Sequence, residues 1–140
     1  MPIGTKNPVI PGCGLHHVAV EARDWDATLR FYKDALGMPI VADFSSPQRN
    51  VVLVEMGDGG CIEILGPTED TPKAGTAPAN YPVTHLALTT TDTGACLERV
   101  RQAGYEVIRG PMDVNLGSMT ATLGFVKGPN GEVIEFFQTH

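Results

Sequence analysis

Apolar and polar residues alternate along this chain, fall into helical spacing, then alternate again, and the whole order occurs twice. LHHVAV at 15–20 alternates and carries β-branched residues, which predicts a strand. Asp24 follows as a side chain able to cap the free amides of a helix. Trp25, Leu29, Tyr32 and Leu36 lie four, three and four residues apart, one apolar helical stripe that places Trp25 and Tyr32 in the core. Gly37 supplies the left-handed residue that ends such a helix. MPIVADF, NVVLVEM and CIEILG predict three more strands, the last two joined by Gly57-Asp58-Gly59-Gly60.

The second half runs through the same elements. PVTHLALT predicts a strand, and residues 93–103 a helix capped by Asp92 or a neighbouring Thr, with Cys96, Val100 and Ala103 as its stripe and Leu97 beside it. Gly104 closes that helix. EVIRG, MTATLGFVK and EVIEFFQ follow as strands, the last pair joined through Gly128-Pro129-Asn130-Gly131. An offset of 68 residues aligns His17 with His85, Ala19 with Ala87 and Asp24 with Asp92; an offset of 72 aligns Gly59 with Gly131 and Glu63 with Glu135. The chain therefore reads as a duplicated unit of class α+β, two tandem βαβββ modules. An N-terminal arm occupies 1–12, the first module 13–66 and the second 83–140. Between them, 67–82 carries four prolines and no periodicity, and reads as a linker.

Composition narrows the function classes. At 140 residues with 42% hydrophobic content the chain can bury a core. A net charge of −6 with no basic block predicts no nucleic-acid partner. No apolar run approaches the roughly 20 residues of a membrane span, and the first residues lack the apolar segment of a secretory signal. The cysteines at 13, 61 and 96 are odd in number and form no C-x-x-C pair, which fits buried thiols in a reducing, cytoplasmic setting.

Each half places one His in its first strand and one Glu in its last. Glu63 lies within C-I-E-I-L and Glu135 within V-I-E-F-F, and burying an ionised carboxylate among apolar neighbours requires a compensating partner. Strand alternation puts His17 with Leu15 and Ala19 on one face, and Val18 and Val20 on the other. Glu63, His85 and Glu135 likewise oppose Ile62 and Ile64, Leu86 and Leu88, and Ile134 and Phe136. If the two sheets curl into half-barrels, the four side chains can converge on the face turned from the helices. Two imidazoles and two carboxylates suit a divalent transition metal with positions left open. His17 rather than His16 keeps the register with His85, so His16 reads as an ordinary polar residue. Arg49, Arg109 and Lys127 read as surface cations.

Through L-H-H-V-A-V with F-Y-K-D-A-L-G, then C-I-E-I-L, T-H-L-A-L and G-P-N-G-E-V-I-E-F-F, residues 14–139 resemble the vicinal oxygen chelate superfamily. That superfamily includes glyoxalase I, methylmalonyl-CoA epimerase, extradiol dioxygenases and fosfomycin-resistance proteins. The resemblance implies metal ligands at His17, Glu63, His85 and Glu135, holding Ni, Co, Zn, Mn or Fe. A complete His-Glu-His-Glu set is most similar to the glyoxalase I branch. There the implied activity is a lyase or isomerase that moves a proton through a metal-bound enediolate, with Glu135 as first choice of base and Glu63 as second. The family's modules pair within one chain or across two, and exposed sheet edges with short helical stripes predict a homodimer acting on a small molecule. Two positions depart from glyoxalase I. The Arg that commonly follows the first ligand by four is here Glu21, and the Asn that follows the second by four is Pro67. An anion in place of a cation disfavours glutathione's carboxylate. The alternatives are an epimerase of a 2-keto acid or acyl-CoA, an iron oxygenase or thiol transferase with three protein ligands, and a metal-free drug-binding protein.

Overall fold

A computed structural model describes residues 15–73, 85–115 and 120–140. The N-terminal arm, Cys13 and most of the linker lie outside the described residues. The first half runs β1 (His17–Glu21), α1 (Trp25–Leu29, continued by wider turns over Arg30–Ala35), β2 (Ile40–Asp43), β3 (Val51–Glu55) and β4 (Cys61–Leu65). The second runs β5 (Leu86–Thr89), α2 (Thr93–Gln102), β6 (Glu106–Asn115), β7 (Thr120–Lys127) and β8 (Val133–Thr139). Each half forms one four-stranded mixed sheet, in the orders β1-β4-β3-β2 and β5-β8-β7-β6. β1 lies parallel to β4 and β5 parallel to β8, and the remaining pairs are antiparallel. This is the α+β architecture that the alternation and the repeat predict.

Both helices start as the sequence implies. The Asp24 carboxylate accepts from the Ala27 amide at 2.9 Å, and that of Asp92 from the Ala95 amide at 2.9 Å. Gly37 and Gly104 take φ of 71° and 90° where the helices stop.

The apolar stripes differ from expectation in two ways. After Leu29 the first helix widens, and the Leu36 amide donates to the carbonyl of Phe31, five residues back, at 3.0 Å. The wider turns bury Phe31, Tyr32 and Ala35 and leave Trp25, Leu29 and Leu36 only partly covered. In α2 the buried line is Thr93, Leu97 and Val100, while Cys96 is half-buried and Ala103 exposed. Thr93 turns inward because its hydroxyl donates to the Thr122 carbonyl of β7 at 3.0 Å.

One buried cluster runs through both halves, from Phe31, Val54, Ile62 and Ile64 to Leu97, Val100, Val126 and Ile134. Tyr105 of the second half meets Phe31 of the first with ring centroids 4.7 Å apart. Arg99 of α2 donates to the Ala35 and Asp34 carbonyls at 2.6 and 3.2 Å, placing a cation at the negative end of the first helix. The buried Asn130, in the turn before β8, accepts from the Arg23 amide at 2.6 Å and donates to the Thr28 hydroxyl at 3.0 Å. Beside it the Tyr32 hydroxyl donates to Glu132 at 2.9 Å. Burial, then the Glu132 charge, pushes the Tyr32 phenol well above its usual range.

The outer strand of each sheet is irregular. The β2–β3 register breaks between Ile40 and Ala42, and β6–β7 between Val107 and Arg109 and between Arg109 and Met112. Gly110 sits in the second β6 bulge at φ 99°, where a Cβ would stand 2.6 Å from the Leu123 carbonyl oxygen.

Candidate metal centre

Parallel pairing brings the ligand-type residues together diagonally. In β1–β4, Ala19 stands opposite Glu63 and His17 opposite Cys61, so His17 and Glu63 share a face one pleat apart. Their Nε2 and Oε2 atoms are 3.4 Å apart. In the second sheet Ala87 stands opposite Glu135, and His85 two residues earlier reaches Glu135 at 3.1 Å, Nε2 to Oε2. The opposite faces bury Ile62, Ile64, Leu88 and Ile134 in the core, as strand alternation requires.

The four residues come together as two pairs, one on each sheet. Among the described residues no group of three or more His, Cys, Asp or Glu side chains gathers. The sequence leaves open whether the two pairs meet within one chain or across two copies, and the described residues hold them as separate pairs. The cause is topological: among the described residues β1 and β5 are edge strands of separate sheets, while the two halves join through their helices and the Asn130 turn.

Surroundings of the pairs differ. The Glu135 side chain is 7% exposed and that of Glu63 25%, while His17 and His85 are about equally open. Phe125 faces Glu135 in the ladder and meets the His85 ring edge-on, centroids 6.0 Å apart; Leu53 holds the corresponding place beside Glu63. On the other side of His17, its Nδ1 lies 2.8 Å from Nδ1 of His16, with the rings at 81°. His16 thus makes a specific contact that its reading as an ordinary polar residue did not foresee; the adjacent pair of histidines was the signal available.

Donor chemistry and spacing fit a divalent cation. Two ligands each ~2.1 Å from one ion stand ~3.0 Å apart at a right angle and ~3.4 Å apart at the tetrahedral angle. The observed separations of 3.1 and 3.4 Å fall in that interval. The buried Glu135 carboxylate also calls for compensating positive charge. Each pair supplies half of a coordination shell.

Glu21 closes a separate network at the end of β1. Its Oε1 accepts from Arg49 at 3.0 Å and from the Thr71 hydroxyl at 2.7 Å, and Arg49 Nε donates to the Gly66 carbonyl at 2.7 Å. Arg49 is therefore engaged within the protein, whereas Arg109 and Lys127 are exposed.

With the fold and these pairs described, comparison with known proteins is decisive about family. The family model of the Glyoxalase/Bleomycin resistance protein/Dioxygenase superfamily matches residues 14–136. The chain belongs to this superfamily. It is 30% identical over 128 residues to a lactoylglutathione lyase of Haemophilus influenzae, covering 87% of this chain and 90% of that protein. Among solved structures it resembles the trypanothione-dependent glyoxalase I of Leishmania major, with TM-score 0.70 and 19% identity over 90% of this chain and 86% of that one. It also resembles TnmS3, an antibiotic binding protein from Streptomyces, with TM-score 0.68 and 19% identity over 91% and 97%. These two neighbours show the fold alone. No helix among the described residues is long and apolar enough to cross a membrane.

Proposed function

We propose that this chain is a divalent-metal-dependent lyase or isomerase of the glyoxalase I type, which moves a proton between adjacent carbons of a small substrate. The observation that carries this reading is the pair of His–Glu couples at equivalent strand positions, each at the spacing of neighbouring ligands on one ion. The lactoylglutathione lyase name of the relative at 30% identity supports the reaction class.

His17, Glu63, His85 and Glu135 would hold the cation. When bound, the ion polarises a substrate oxygen and stabilises the negative charge that develops as the neighbouring carbon loses its proton. His17 and His85 would bind through Nε2. Glu135 takes the proton and returns it, because its near-complete burial against Phe125 keeps water from the carboxylate; the more open Glu63 is the second choice. Since the pairs stand on separate sheets whose edges, among the described residues, are β1 and β5, each complete site takes one pair from each of two copies, and the protein acts as a homodimer. The substrate is a 2-hydroxy or 2-keto carbonyl compound or a hemithioacetal. Glutathione adducts are poor substrates, because Glu21 with its Arg49 partner leaves a nearly neutral patch where a carboxylate would need a free cation.

Metal analysis combined with isotope exchange from D2O into 2-hydroxy ketones, hemithioacetals and acyl-CoA esters tests this. Ni-, Co-, Zn-, Mn- or Fe-dependent deuterium incorporation next to a carbonyl is expected, and exchange confined to acyl-CoA esters would make the protein an epimerase. Failure to retain any of these metals, with no exchange, would replace the enzyme reading by that of a binding protein.

A further inference from the structure

We infer that His16 is a positioning residue for the metal centre, holding the His17 ring through an Nδ1-to-Nδ1 hydrogen bond so that Nε2 of His17 is presented to the cation. The inference rests on the metal-dependent reading above and assigns a role to a residue outside the four ligands. The contact is 2.8 Å long, and the rings meet edge to face with centroids 5.1 Å apart. A hydrogen bond between two imidazole nitrogens needs one to carry a proton and the other to be bare. A neutral imidazole that gives the Nε2 lone pair to a cation keeps its proton on Nδ1. With a cation on its Nε2, His17 would donate from Nδ1, His16 would accept on its own bare Nδ1, and the His16 proton would sit on its Nε2.

Backbone geometry makes His16 a suitable anchor. Its carbonyl accepts from the Cys61 amide at 2.8 Å, extending the β1–β4 ladder by one residue and fixing the origin of the side chain. Because Cys61 and Glu63 belong to the same strand, β4 fixes both the carboxylate and the support of the imidazole it faces. The hydrogen bond restricts rotation of the His17 ring. At the equivalent place in the second half the sequence has Thr84 where the first has His16, and His85 packs edge-on against Phe125.

The role requires an acceptor at the place of the His16 Nδ1. The Asn carbonyl oxygen can occupy that place, the Gln oxygen lies one bond further out, and Ala offers none. The test is chelator competition for Co(II) and Zn(II) with the full chain, comparing His16→Ala, His16→Asn, His16→Gln and His17→Ala, with a thermal melt of each to establish folding. His16→Ala should bind metal about 10- to 100-fold more weakly than the parent. His16→Asn should regain most of that loss, His16→Gln less, and His17→Ala should lose more than any of them. In metal-free protein, the 15N signals of the His17 ring should shift in His16→Ala and return towards their parent positions in His16→Asn. Parent-like affinity in His16→Ala, with His17→Ala impaired, would overturn the positioning role and leave the metal centre standing. A loss in His16→Ala equal to that in His17→Ala, with a changed Co(II) visible spectrum and no rescue by Asn, would make His16 a ligand and likewise overturn it. Unchanged affinity in His17→Ala would instead reject the metal reading on which the inference rests.

Discussion

The two His–Glu pairs follow one plan and have acquired different surroundings. Both arise from parallel pairing of the first and last strands of a half, which sets His and Glu diagonally on the open face at 3.4 and 3.1 Å. Around the first pair the neighbours are polar and open: His16 touches the imidazole, and Glu63 retains contact with solvent. The second is drier, with Phe125 beside the imidazole and the carboxylate 7% exposed. Duplication thus explains why the His–Glu geometry repeats, and the residues that differ between the copies set the difference in exposure. Under the proposed function the buried carboxylate moves the proton and the open pair receives the cation.

That contrast breaks most visibly at the carboxylates. Glu135→Gln should lower the rate of proton exchange by about 10²- to 10⁴-fold while the protein still takes up metal. Glu63→Gln should lose less activity and more metal. Equal losses of rate in initial-velocity measurements would mean that the difference in burial has no catalytic consequence.

The join between the halves comes next in size. Asn130→Ala removes a buried side chain that bonds to both Arg23 and Thr28, and should cost about 1–3 kcal/mol in denaturant unfolding. A variant as stable as the parent would show that the apolar cluster alone holds the halves together.

Alkaline pH separates the two helices. Tyr32 and Val100 stand 68 residues apart and are both fully buried, but only Tyr32 ionises. Its folded-state pKa is raised, so below about pH 10 both folded and unfolded chains keep the phenolic proton and stability has no slope from this group. Above that pH the unfolded chain releases the proton first, and stability falls by up to ~1.4 kcal/mol per pH unit. Tyr32→Phe should flatten that decline by one group, leaving the smaller contribution of Tyr105, whose pKa burial also raises. An unchanged slope in urea titrations between pH 10 and 11, values chosen from the usual phenol range of about 10, would contradict the assignment.

The helix caps give the smallest effect. Asp24→Ala and Asp92→Ala should each cost about 1 kcal/mol in thermal melts, since each carboxylate accepts one amide at the same distance. A twofold difference between them would show that the wider turns of the first helix change what its cap contributes.

Much of the fold was legible because period, caps and turn glycines agree with one another, and the repeat supplies each element twice. The wide turns after Leu29 were not, because a five-residue hydrogen bond leaves no mark in a 3.6-residue pattern; Phe31 and Ala35 entered the core through it. Thr93 was passed over as an apolar-face residue because its burial depends on a partner, the Thr122 carbonyl, that only the tertiary fold supplies. The strand at EVIRG continues through two bulges to Asn115, past Gly110 and Pro111. At the candidate centre, alternation could place His17 with Leu15 and Ala19, and Glu63 with Leu65, on one face. Whether pairs on separate sheets meet is a matter of how the sheets associate, which local periodicity does not encode.

The bulged outer strands bear on how the protein behaves when crowded with its own copies. Each exposes apolar side chains, Ile40 and Val41 on β2 and Ile108 on β6, beside a row of backbone groups that another strand could join. The breaks at Ile40/Ala42 and on both sides of Arg109 interrupt the regular spacing that such addition needs, and Pro111 offers no amide hydrogen at the midpoint of the longest edge. Gly110 secures the interruption, since any larger residue would strike Leu123. A straightened β6 would present a regular row of backbone groups to the β6 of a neighbour; the irregular edge works against such strand addition.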